Sequence, residues 1–164
     1  MTIKKVPAER LCVTSSKTFA AVVAALEAAV GRPNLADFAE RTRTAKTFGE
    51  LERAVNANLG RTGLMMFMKL DHGEILRKET GLDTPRMVRF VIGNPLIMKE
   101  MVKHVPDAGS YAPVTILVDE RPDGVHLSYD RMAGFLSPYA NAEALAVART
   151  LDEKIESLLQ EAAA

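Results

Sequence analysis

The chain has 164 residues, 48% of them hydrophobic, which suffices for one domain with a real core and is too apolar for a disordered segment. Its 21 basic and 21 acidic side chains cancel. That balance removes the electrostatic case for nucleic acid or an anionic membrane and leaves self-association open. The single cysteine, Cys12, excludes an intrachain disulfide. The opening residues lack the apolar core of a leader, and no run approaches the roughly 20 apolar residues of a bilayer span. The expectation is a cytoplasmic protein.

The spacing predicts a first strand over Arg10–Ser15, with Cys12 as a small buried hydrophobe within it. Ser16 can cap a helix carrying Phe19, Val22, Val23, Leu26 and Val30 on one face, closed by Gly31-Arg32-Pro33. Asn34 opens a weaker helix through Phe38. Glu40 to Lys46 reads as a polar, basic loop, solvated or contacting an anion. Thr47-Phe-Gly-Glu50 has the form of a capping box and starts a third helix with Leu51, Val55 and Leu59.

Gly63–Asp71 reads as the second strand, with Leu64, Met66, Met68 and Leu70 on one face. Its methionines suit adaptable core filling better than metal ligation, because soft ligands must converge on one point. A short helix follows from His72 to Glu79. Arg86 to Gly93 is an apolar, β-branched run, a strand in which Arg89 faces away from Val88 and Phe90. Asn94 and Pro95 then start a helix, Asn94 as its cap and Pro95 at its first position. Val114–Asp119 and Val125–Tyr129 flank Arg121-Pro-Asp-Gly124, whose turn chemistry predicts an antiparallel hairpin. Arg131 to Tyr139 is irregular or a single turn. Asn141 caps a last helix with Leu145, Ala148, Leu151, Ile155, Leu158 and Leu159 in one stripe, which must bury against the sheet or against a partner copy. The order β-α-α-α-β-α-β-α-β-β-α predicts one α+β domain, a mostly antiparallel sheet of about five strands with helices mainly on one face.

Two junctions carry polar chemistry. Asp71-His72 sits where a strand hands over to a helix; it reads either as a helix cap with a packed histidine or as an acid–base pair. Gly93-Asn94-Pro95 reads either as a turn and cap or as a helix start that receives an anion. His126 and Ser128 share one face of their strand without a nucleophile elbow. The three histidines lack metal-ligand spacing, and neither a P-loop nor a dinucleotide fingerprint occurs.

Four ordered blocks then point to a family. They are Gly63-Leu-Met-Met-Phe-Met-Lys-Leu-Asp-His72, Arg89-Phe-Val-Ile-Gly-Asn-Pro95, Ala112-Pro-Val-Thr-Ile-Leu-Val118 and Gly124-Val-His-Leu-Ser-Tyr129. Together they resemble the bacterial and archaeal domain-of-unknown-function family three hundred and two. Its members carry a strand ending in Asp-His, a Phe-Gly-Asn-Pro turn, a Leu-Pro-led strand and a final Ser-Tyr. The resemblance covers about Gly63 to Leu136. It implies a compact α+β fold, a homodimer and no established activity. It carries over Asp71, His72, Gly93, Asn94, Pro95, Ser128 and Tyr129 as site residues. This chain departs from the pattern at Ile92, where members show Phe, and at Tyr111-Ala-Pro113, where they show Leu-Pro. It also carries an extra helical stretch at about 34–60, read as an insertion.

The expected function is binding of a small polar or anionic ligand by a homodimer. The pocket would lie where Asp71-His72 and Gly93-Asn94-Pro95 meet, with Ser128 and Tyr129 contributing. The alternatives are an enzyme using His72 as general acid or base beside Asp71, and a structural or partner-interaction module. No cofactor, metal, nucleic acid or membrane partner is expected.

Overall fold

The computed structural model describes residues 1–164. Five strands, β1 (Arg10–Ser15), β2 (Met65–Asp71), β3 (Met87–Gly93), β4 (Val114–Arg121) and β5 (Gly124–Asp130), form one sheet in the order β1-β5-β4-β3-β2. Every pairing within it is antiparallel. The helices are α1 (Phe19–Ala29), α2 (Leu35–Thr44), α3 (Phe48–Asn56), α4 (His72–Thr80), α5 (Pro95–Val102), α6 (Met132–Leu136) and α7 (Ala142–Ala163). The α+β class and the predicted element order hold, with α6 as the single turn after the hairpin.

Strand alternation sorts the sheet into two faces. Val88, Phe90 and Ile92 of β3, Ile116 and Val118 of β4, and Val125, Leu127 and Tyr129 of β5 are buried on one face. They pack against Phe19, Val22 and Leu26 of α1 and against the stripe of α7, where Ala148, Leu151, Ile155, Leu158 and Leu159 are also buried. The predicted stripe therefore meets the sheet. The opposite face has no helical layer packed across it, as antiparallel sheets allow.

The caps form as their side-chain chemistry requires. Asn34, Thr47, Asp71, Asn94 and Asn141 each accept a hydrogen bond from a backbone N–H of the helix they precede. The first helix differs: Thr18, not Ser16, caps it, and Ser15 Oγ takes the N–H of Lys17 instead. The polar stretch after Phe38 is not a loop. Helix α2 continues to Thr44 although it buries no residue, so periodicity gave no sign of it. Arg121 pairs with Gly124 across a two-residue turn at Pro122-Asp123. Gly124 has φ +138°, and a Cβ there would lie 2.7 Å from the Ser15 carbonyl oxygen, so glycine is required.

Two further corrections concern side-chain direction. The β2–β3 register pairs Met66 with Ile92 and Met68 with Val91, which leaves Phe67 as an extra residue in a bulge. Met66 and Met68 consequently lie on opposite faces, not one. Cys12 is exposed rather than buried, because it faces outward on the edge strand β1.

Candidate functional site

The register decides what the two junctions can do together. Met65 pairs with Gly93 and Asp71 pairs with Val88, so β2 and β3 run their whole length between the junctions. Five steps along β3, from Val88 opposite Asp71 to Gly93, separate them, about 17 Å at ~3.3 Å per residue. The single pocket expected between Asp71-His72 and Gly93-Asn94-Pro95 is therefore not formed. Each junction borders its own depression.

The Gly93-Asn94-Pro95 junction is occupied by its own structure. Asn94 Oδ1 accepts from the N–H of Leu96 at 2.8 Å, and Asn94 Nδ2 donates to the Gly63 carbonyl at 2.9 Å. Asn94 thus caps α5 and ties it to the residues leading into β2. Pro95 has no N–H, and the N–H of Met98 donates to the Asn94 carbonyl at 3.0 Å. The N–H groups of Leu96 and Met98 are thus already bonded at the start of α5.

The other junction borders the open face. Three cross-strand rows run over that face. Val91, Thr115, Asp130 and Arg10 make one; Leu70, Arg89, Leu117, Ser128 and Cys12 the next; Met87, Asp119, His126 and Thr14 the third. A depression of about 320 Å³ sits across these rows. Its walls include His72, Arg89, Thr115, Ser128 and the Arg10–Asp130 pair.

Asp71 does not orient His72. Its Oδ1 accepts from the N–H of Glu74 at 2.9 Å and its Oδ2 from Arg77 Nη2 at 2.8 Å. The Arg77 hydrogen bond holds the Asp71 carboxyl below the usual carboxylate range. Both oxygens are committed to α4, so the pair expected to supply a general base is not assembled. His72 itself is half-buried and faces the depression.

Arg10 and Arg89 contribute differently. Arg10 meets Asp130 through two parallel hydrogen bonds of 2.7 Å each. That contact raises the Arg10 pKa and lowers that of Asp130. Arg89 forms no ion pair and no side-chain hydrogen bond, and it is exposed at the middle of its row. Its charge and planar donors remain available. The hydroxyls of Thr115 and Ser128 are likewise unbonded within the protein.

Tyr129 borders the depression through the strand, but its side chain lies on the opposite face. The Tyr129 hydroxyl donates to Asp152 Oδ1 at 2.5 Å in the core. Asp152, on α7, also accepts the N–H of Met132 at 2.8 Å and of Ala133 at 3.0 Å. These are the first two residues of α6, whose own preceding residue, Arg131, makes no side-chain cap. A carboxylate from a distant helix supplies the missing cap. Burial, then the Asp152 charge, pushes the Tyr129 phenol well above its ordinary pKa. The hydroxyl is thus a structural group, and of the Ser128-Tyr129 pair only Ser128 presents its side chain to the depression.

Sequence reasoning passed over Asp152 and said of Arg89 only that it faces away from Val88 and Phe90. Both carried a signal. Asp152 lies four residues after Ala148 and three before Ile155, inside the apolar stripe. Arg89 interrupts the outward positions of an apolar strand.

The fold is thus a one-sided antiparallel sheet with a cationic hollow on its bare face. Residues 38–162 match the family described as Domain of unknown function DUF302, and the chain belongs to that family. The match begins inside α2, so most of the stretch read as a helical insertion falls within the matched span. The fold is similar to that of an uncharacterized conserved DUF302 protein from Bacillus stearothermophilus, seen in a crystal structure. The TM-score is 0.65 at 14% identity, over 93% of this chain and 97% of that one. No curated protein matches the sequence. No helix is long and apolar enough to cross a membrane.

Proposed function

We propose that the protein binds a small anionic ligand in the depression on the open face of the sheet. The observation that carries this reading is Arg89, a guanidinium without a partner at the centre of that face. A planar, permanently charged donor suits a carboxylate or phosphate. The Ser128 and Thr115 hydroxyls and the His72 ring can complete the anion's hydrogen bonds. Asp130 does not repel it strongly, because Arg10 neutralises that carboxylate.

The test is thermal unfolding of the full chain against inorganic phosphate and small dicarboxylates. A ligand that binds only the folded state raises stability by about 2.7 kcal/mol at a hundredfold excess over its Kd. Arg89→Ala should abolish the rise without lowering the melting temperature of the free protein. If neither anion raises the wild-type melting temperature, the reading fails.

Self-association is the second part of the proposal. Ile75 of α4, the helix that His72 begins, and Leu82 just beyond its end are 71% and 63% exposed. Two large apolar side chains left in water beside the depression favour burial against a second copy. Sedimentation should show a dimer, and Ile75→Glu with Leu82→Glu should shift it to monomer. A wild-type monomer at micromolar concentration would contradict this part alone.

A further inference from the structure

The cavity at the other junction differs from the open face in every respect that sets ligand chemistry. It has a volume of about 380 Å³, within the range of small-molecule pockets, and lies between α5, the turn Pro106–Ser110 and the end of the sheet. We infer that it is a second, separate binding site, and that its ligand is a small uncharged apolar molecule.

The walls exclude the alternative of a charged ligand. Asn94 is the one polar side chain among the lining residues, and both ends of its amide are already bonded to Leu96 and Gly63. Pro95 and Pro113 flank the cavity and have no backbone N–H to give. An ion entering here would lose its water and find no charged or free polar side chain in return. An apolar molecule loses nothing, because an apolar cavity holds water poorly.

The shape is built rather than left over. The extra residue of the β2 bulge is Phe67, and its ring lines the cavity and lies 3.6 Å from where a Gly93 Cβ would stand. A bulge of this kind re-aims a side chain beside a site. Met101 and Leu151 form a buried floor, while Met98 lines the cavity from a half-exposed position. Methionine side chains there can adjust to the outline of a ligand.

The probe is N-phenyl-1-naphthylamine, a neutral fluorophore, added to the full chain with its methionine methyl groups labelled with carbon-13. Saturable fluorescence is expected, with shifts of the Met98 and Met101 methyl resonances and none at Met68 or Met87, which lie on the open face. Inorganic phosphate should leave the probe bound. Met98→Trp, which fills the mouth, should weaken binding at least tenfold. Absence of saturable binding overturns the inference. So does binding that moves Met68 and Met87 instead, or a folded Met98→Trp protein that binds as tightly as wild type. Should that variant fail to fold, the methyl shifts of the wild type decide.

Discussion

Ser128 and Tyr129 are neighbours on β5, yet they belong to opposite chemistries. Tyr129 points into the core, where its hydroxyl and the Asp152 carboxylate are bonded to each other and to α6. Ser128 points to the bare face, where it and Arg89 have no partner within the protein. The two faces teach one lesson. A polar group under cover must be fully satisfied, and so it holds the fold together; a polar group without cover can stay unsatisfied, and so it can bind.

The two strand-to-helix junctions repeat the lesson. Both use a capping side chain before a short helix. One opens on a cationic hollow and the other on an apolar cavity. The local motif is the same and the surroundings decide its use.

The contrast can be broken at its strongest point first. Asp152→Ala leaves the Tyr129 hydroxyl without its acceptor and the Ala133 N–H without a partner, and leaves the Met132 N–H only its longer 3.3 Å bond to the Tyr129 hydroxyl. At roughly 1–3 kcal/mol per orphaned group, the expected loss is about 3–5 kcal/mol. Chemical denaturation measures it, and a loss under 1 kcal/mol would show that α6 does not depend on this carboxylate. Asn94→Ala removes a cap and the tie to Gly63 and should cost about 2 kcal/mol. Asp71→Ala, at an exposed cap, should cost about half as much. If the two losses prove equal, the tie to Gly63 contributes nothing.

Titration sharpens the same contrast. The Tyr129 phenol is raised in the folded state, so its contribution is complete below the unfolded value of about 10 and is lost as pH rises above it. Stability should fall with increasing slope in that alkaline range, and Tyr129→Phe should flatten the slope. Asp71 and Asp130 have lowered values. Their contributions are complete above about pH 4 and are lost as pH falls below it. Both groups are near the surface, so the acid effect should be the smaller. The smallest stability change belongs to Arg89→Ala, within about 0.5 kcal/mol of wild type, since the side chain touches no partner.

Much of the molecule was legible as sequence. The element order, the caps at Asn34, Thr47, Asp71, Asn94 and Asn141, the Pro122-Asp123 hairpin and the outward direction of Arg89 all follow from interactions within a few residues. Helix α2 was read too short because it fully buries no residue and only Phe38 and Thr42 are half-buried along it, too few to mark its length. The expectation for Cys12 failed because composition favours burial of cysteine while edge-strand geometry does not.

What the residues alone determined is therefore the set of elements and which side chains share a face, because these depend on neighbours along the chain. What only the tertiary structure decided is where the elements end relative to one another. The β2–β3 register sets Asp71-His72 and Gly93-Asn94-Pro95 at opposite ends of a strand pair, and the bulge at Phe67 turns its ring into a cavity. Packing brings Asp152 to the Tyr129 hydroxyl. Register, bulge and burial arise from contacts between segments far apart in the chain, where short-range preferences have no reach.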